Sequence, residues 1–210
     1  MPTPSDHVGP ALVFGLDEDR AAGISKSKGL PIVKPVKKEE AEAFLPPRHR
    51  KDFVTAALPD SLRQAIKSFV LACAVRGCRG QGNEHQSMLI HVTRYVQIQN
   101  SIMDLVASEV EDLASALRVE GHAFDRLMSE FRQLWTDDFV PTMAGVAEAR
   151  SDPLMTQVAW DDVQERLRKV ASRIVVRAVN GEVSDIKEYR ETNDGFYAIL
   201  VGGDKLSRGL

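Results

Sequence analysis

The residues best suited to chemistry lie near the end of the chain. In FYAILVGGDKLSRGL, Gly202 and Gly203 permit close backbone approach, and Lys205, Ser207 and Arg208 supply donors suited to phosphate oxygens. From spacing alone, phosphate binding and a tight turn with solvated charges stand level. Two further candidate segments are Thr93 and Arg94, which end SMLIHVTR, and Asn180 to Ser184, which follow RIVVRAV. The basic runs Lys34, Lys37, Lys38 and Arg48, Arg50, Lys51 invite a nucleic-acid reading. They alternate with Glu39, Glu40, Glu42 and Asp52, so a solvated linker is the preferred reading.

Other chemistries have thinner support. The HRK run at 49–51 lacks the downstream aspartate of a phospholipase-type nuclease. Glu182, Asp185 and Lys187 only faintly resemble a metal-dependent nuclease core, and loop surface charges are the plainer reading. His85 and His91 form no base, nucleophile and orienter arrangement, and His91, inside a strand, reads as a satisfied interior histidine. Cys73 and Cys78, in CAVRGC, have no second Cys or His pair at zinc spacing and read as buried reduced thiols, with no metal site. No GxxxxGK[ST] is present: GISKSKGL lacks the lysine after its second glycine, so it cannot cradle ATP phosphates as a P-loop does.

These candidates need a framework to hold them. LPDSLRQAIKSFVLACAVRG offers Asp60 and Ser61 as caps and then Leu62, Ile66, Phe69, Val70 and Cys73 at spacings of three and four, which predicts a helix ending near Gly77. The apolar run Met88 to Val92 is short and bounded, as expected of an interior strand. Helical period returns over 96–118, with Ile98, Ile102, Leu105, Val106, Val110, Leu113 and Leu117 on one side, and again over about 122–135 and from Trp160 to Ala171. Residues 173–181 and 196–203 read as strands. Strands separated by long helical crossovers imply an α/β fold with a parallel sheet and helices on both faces. In such sheets ligands collect beyond the carboxyl ends of the strands, where all three candidate segments fall. If Phe196 to Val201 is a central strand that lacks a neighbour, its edge or an apolar patch favours self-association.

Eight of the ten prolines fall in residues 1–59, so residues 1–57 read as an irregular arm without long helices. The 210 residues are 43% hydrophobic and 27% charged, which matches a globular chain and excludes a wholly disordered or collagenous one. A net charge of −3 confines any nucleic-acid contact to a local patch. No stretch approaches the roughly 18 apolar residues of a membrane span, and MPTPSDHVGP lacks the regions of a signal peptide, so a cytoplasmic protein is expected.

The order LPDSLRQAI, HQSMLIHVTRYVQIQ, a strand ending in Asn-Gly and ILVGGDKLSRGL resembles the Z-one (Z1) domain over roughly Leu58 to Leu210. That family occurs in endonuclease-like proteins and helicase-like ATPases of bacterial restriction and defence systems. It is similar to the second RecA-like lobe of superfamily-two helicases. The resemblance implies DNA-backbone contact for Thr93, Arg94, Lys205, Ser207 and Arg208. It makes Gly203 and Gly209 conformational and has Asp204 help couple nucleotide state to the loop. It implies ATP and magnesium in a parent protein, held by an ATPase lobe expected to lie outside this chain, with DNA as partner; the lack of an apolar span separately implies no membrane. The family pattern continues past SRGL with another strand and an arginine-bearing sixth motif, so a truncated helicase lobe is the expectation. A metal-dependent nuclease and a noncatalytic interaction domain are the alternatives.

Overall fold

The computed structural model describes residues 13–15, 29–149, 152–179 and 194–203. The chain divides into two compact units, Met1–Pro35 with Gln133–Thr156, and Val36–Arg132 with Gln157–Leu210.

The second unit holds the sheet. In chain order it contains α1 (Lys38–Phe44), α2 (Asp60–Cys78), β1 (Gln86–His91), α3 (Val96–Arg118), most of α4 (His122–Leu134), α6 (Trp160–Ala171), β2 (Val175–Val179) and β3 (Tyr197–Gly202). The fold is α/β, with a three-stranded parallel sheet in the order β1-β3-β2 flanked by helices. His91 of β1 and Val179 of β2 both pair with Gly202 of β3, so all three strands finish at one level. Every residue of β3 is buried, as its unbroken apolar run requires. Burying Ile199, Leu200 and Val201 contributes about 2 kcal/mol each.

The strand order differs from the sequence expectation in two respects. β3 has a neighbour on each side, so it presents no open edge; among the described residues the edges are β1 and β2. β1 is therefore not an interior strand. Ser87, Leu89 and His91 alternate outward and are exposed, Leu89 by 52%, so His91 is a surface residue and not an interior one.

α3 packs on β2, β3 and α6, and α6 also packs on α2. The buried stripe of α3 is apolar except for Gln99, in its first turn. Arg63 of α2 pairs with Glu109 of α3 at 2.6 Å, and Arg168 of α6 donates to the Leu117 carbonyl near the end of α3 at 2.8 Å. The α2 N-terminus is not capped by Asp60 or Ser61. Instead the Ser61 N–H donates to Glu40 of α1 at 2.8 Å, a hydrogen bond that lowers the Glu40 carboxyl from its ordinary value. The Pro-rich stretch thus contributes a short helix that meets the first turn of α2.

In the first unit, the helix expected to stop near Trp135 continues through a π-helical turn, Trp135–Phe139, into α5 (Val140–Ala149). Pro141 has no N–H to give the preceding turn, and the Val140 N–H bonds Trp135 O, so the register widens to i→i+5. Lys34 pairs with Asp138, which also accepts from the Thr142 hydroxyl at 3.0 Å. Among the described residues no helix is long and apolar enough to cross a membrane.

Candidate functional site

The carboxyl ends of β1 and β3 meet at a close backbone approach. A Cβ on Gly203 would lie 2.8 Å from Thr93 O and 2.5 Å from Gln99 Nε2, so a side chain there would force the two loops apart. Gln99 Nε2 donates to Thr93 O at 2.8 Å, which explains the one polar residue in the buried stripe of α3. Three sequence-predicted residues, Thr93, Arg94 and Gly203, are therefore brought together. Asp204, Lys205, Ser207, Arg208 and Gly209 lie outside the described residues, as do Asn180 to Ser184, Asp185 and Lys187.

Beside this junction lies an open cavity of about 630 Å³. One wall is Pro47 to Arg50 and the other His91 to Tyr95. The walls are joined through His49, which is half-buried. Its Nδ1 lies 2.8 Å from Pro46 O and its Nε2 lies 2.8 Å from Thr93 Oγ1. A carbonyl oxygen only accepts, so Nδ1 carries a hydrogen and, in the neutral ring, Nε2 accepts from the Thr93 hydroxyl. The Tyr95 N–H donates to the same hydroxyl oxygen at 3.3 Å, and the Tyr95 ring stands edge-on to His49 at 5.6 Å.

The cavity is electropositive. Arg48, Arg50 and Arg94 line it with His49 and His91, and among the described lining residues there is no carboxylate. The Arg94 guanidinium lies 5.1 Å from the Tyr95 ring centroid and donates to Tyr95 Oη at 3.1 Å. Tyr95 precedes α3 and provides no side-chain cap, so the positive end of a 23-residue helix adds to the same potential. Arginine forks of this kind match the oxygens of a phosphate group.

Sequence reasoning missed His49, Gln99 and the contribution of Arg48 and Arg50. Arg48 and Arg50 of the basic tract are exposed, as a solvated linker requires, and they also line the cavity. The hydrogen bond from His49 to Thr93 spans 44 residues and has no local pattern. Gln99 did leave a signal, a polar side chain at an apolar position of α3.

Cys73 and Cys78 are free thiols, Cys73 is fully buried, and burial pushes it up from 9.0 to about 12. Among the described residues no three His, Cys, Asp or Glu side chains are grouped to hold a metal ion.

A search of the curated proteins and a search of the solved structures each return no match. The profile of the Z1 domain matches residues 61–210, which include Thr93, Arg94 and Gly203 and begin after the Pro47–Arg50 wall. That match covers well over half of the sequence, and the chain belongs to the Z1 domain family.

Proposed function

We propose that this chain is a helicase-like lobe of an ATP-dependent DNA-processing or restriction protein, contacting the DNA backbone through the carboxyl edge of β1 and β3. One observation carries the reading: Gly203 seats on Thr93 and Arg94, the residues for which the family resemblance implies backbone contact, beside a cavity walled by Arg48, Arg50 and Arg94. The parallel sheet is consistent with part of a RecA-like lobe, in which loops at the carboxyl ends of the strands take the ligand. Arginines and a positive helix end suit phosphates, which position a duplex without reading its sequence. Among the described residues no three His, Cys, Asp or Glu side chains are grouped to hold magnesium, and in this reading ATP and magnesium belong to a partner ATPase lobe.

The test is the salt dependence of duplex binding. Replacing Arg48 and Arg94 by alanine should flatten the slope of log affinity against log salt by about 2, one phosphate for each arginine. The Lys205/Arg208 double variant should do the same, and replacing Lys37 and Lys38 should leave the slope alone. If the Lys37/Lys38 variant loses binding and the arginine variant does not, the assignment of this edge fails.

A further inference from the structure

We propose that phosphate binding in this cavity is coupled to uptake of a proton by His49, with the Thr93 hydroxyl as the transmitting group. The inference rests on the reading that the cavity takes DNA phosphates.

The hydrogen bonds leave one variable position on the ring. Nδ1–H donates to Pro46 O in either charge state, so only Nε2 can gain or lose a hydrogen. When Nε2 is bare, it accepts from Thr93 and the hydroxyl hydrogen points at the ring. When Nε2 takes a proton from solvent, it donates to Thr93 Oγ1, which already accepts from the Tyr95 N–H. Both acceptor positions of the hydroxyl are then filled and its own hydrogen is released. Thr93 is 6% exposed and lines the cavity, so that hydrogen needs an acceptor there. A phosphate oxygen supplies it.

Charge acts in the same direction. The groups facing His49 are Arg48 and Arg50 on its own turn, His91, Arg94 and Tyr95 on the opposite wall, and Phe53, whose ring centroid lies 6.3 Å away. No described lining residue offers an anion to balance an imidazolium, so the ligand is the counter-charge. The ring keeps both hydrogen-bond partners in both states. The change is confined to the direction of one hydroxyl hydrogen and one unit of charge.

The experiment uses the full chain and a labelled duplex at fixed salt. Affinity should rise about tenfold as the pH is lowered from about 8 to about 6, and binding within that range should take up protons. Calorimetry in buffers of different ionisation enthalpy reads that uptake directly. His49→Gln should still bind at the upper pH but lose the rise and the uptake. Thr93→Ser should keep both, and Thr93→Val should weaken both. If His49→Gln behaves as the parent chain does across the range, the coupling is wrong while the DNA-contact reading stands. If the parent chain binds no duplex at any pH, or binds independently of Arg48 and Arg94, the underlying reading fails, and the coupling fails with it.

Discussion

Arginine is used differently at the two ends of the sheet. At the amino end, Arg173 donates to the carbonyls of Gly82 at 3.3 Å, Gly195 at 3.0 Å and Asp194, and its guanidinium stacks over Tyr197 at 4.3 Å. Tyr197 donates to Gly82 O at 2.7 Å, and the Phe196 N–H donates to His85 Nδ1 at 2.9 Å. This edge is closed by its own backbone. At the carboxyl end, Arg48, Arg50 and Arg94 line a cavity instead. Residue type alone therefore does not assign a role. An arginine whose fork is taken up by loop carbonyls clamps the chain, whereas arginines on the wall of a ligand-sized space favour an anion.

The largest effect expected from breaking this contrast is at Gly195. Its φ is +72°, and a Cβ would lie 2.7 Å from the Asn83 carbonyl carbon, so Gly195→Ala should cost about 3 kcal/mol in urea denaturation. Arg173→Ala should cost about 2 kcal/mol by leaving carbonyls unpaired. Arg94→Ala should change stability by no more than about 0.5 kcal/mol while weakening DNA binding. Equal destabilisation by the two arginine variants would erase the distinction between clamp and contact.

A smaller effect tests the core behind both ends. The Cys73 thiol is raised from 9.0 to about 12 by burial, so the unfolded chain ionises first as pH rises. Its contribution is present below about pH 9 and lost progressively toward about pH 12. Stability measured from neutral to high pH should therefore fall less steeply in Cys73→Ala than in the parent chain. In the folded protein at neutral pH, Cys73 should alkylate far more slowly than half-buried Cys78.

Local pattern made much of the framework legible. The apolar period of α3 and the charge order of α6 define their ends at Val96–Arg118 and Trp160–Ala171, and the unbroken run of β3 marks the central strand. Elements that depend on distant contacts were not legible. The apolar run Met88 to Val92 reads as an interior strand, yet the place of β1 at the edge exposes Leu89 and His91. The extension of α4 through a π turn depends on how the chain accommodates Pro141, not on periodicity. At the site, Thr93, Arg94 and Gly203 follow from their place after strands, because parallel strands bring such ends together. His49 depends on a turn docking across 44 residues, which no spacing rule reports.

The central claim is that DNA phosphates meet the carboxyl edge and leave the amino edge untouched. Hydrogen exchange read by mass spectrometry, with and without duplex DNA, compares the two edges in one experiment. The account predicts slowed exchange in peptides covering Arg48–Phe53 and Val92–Gln99, with no change over Gly80–Gln86 or Asp194–Tyr197. Protection confined to the amino-edge peptides, or duplex binding that leaves exchange at the carboxyl edge unchanged, would contradict it.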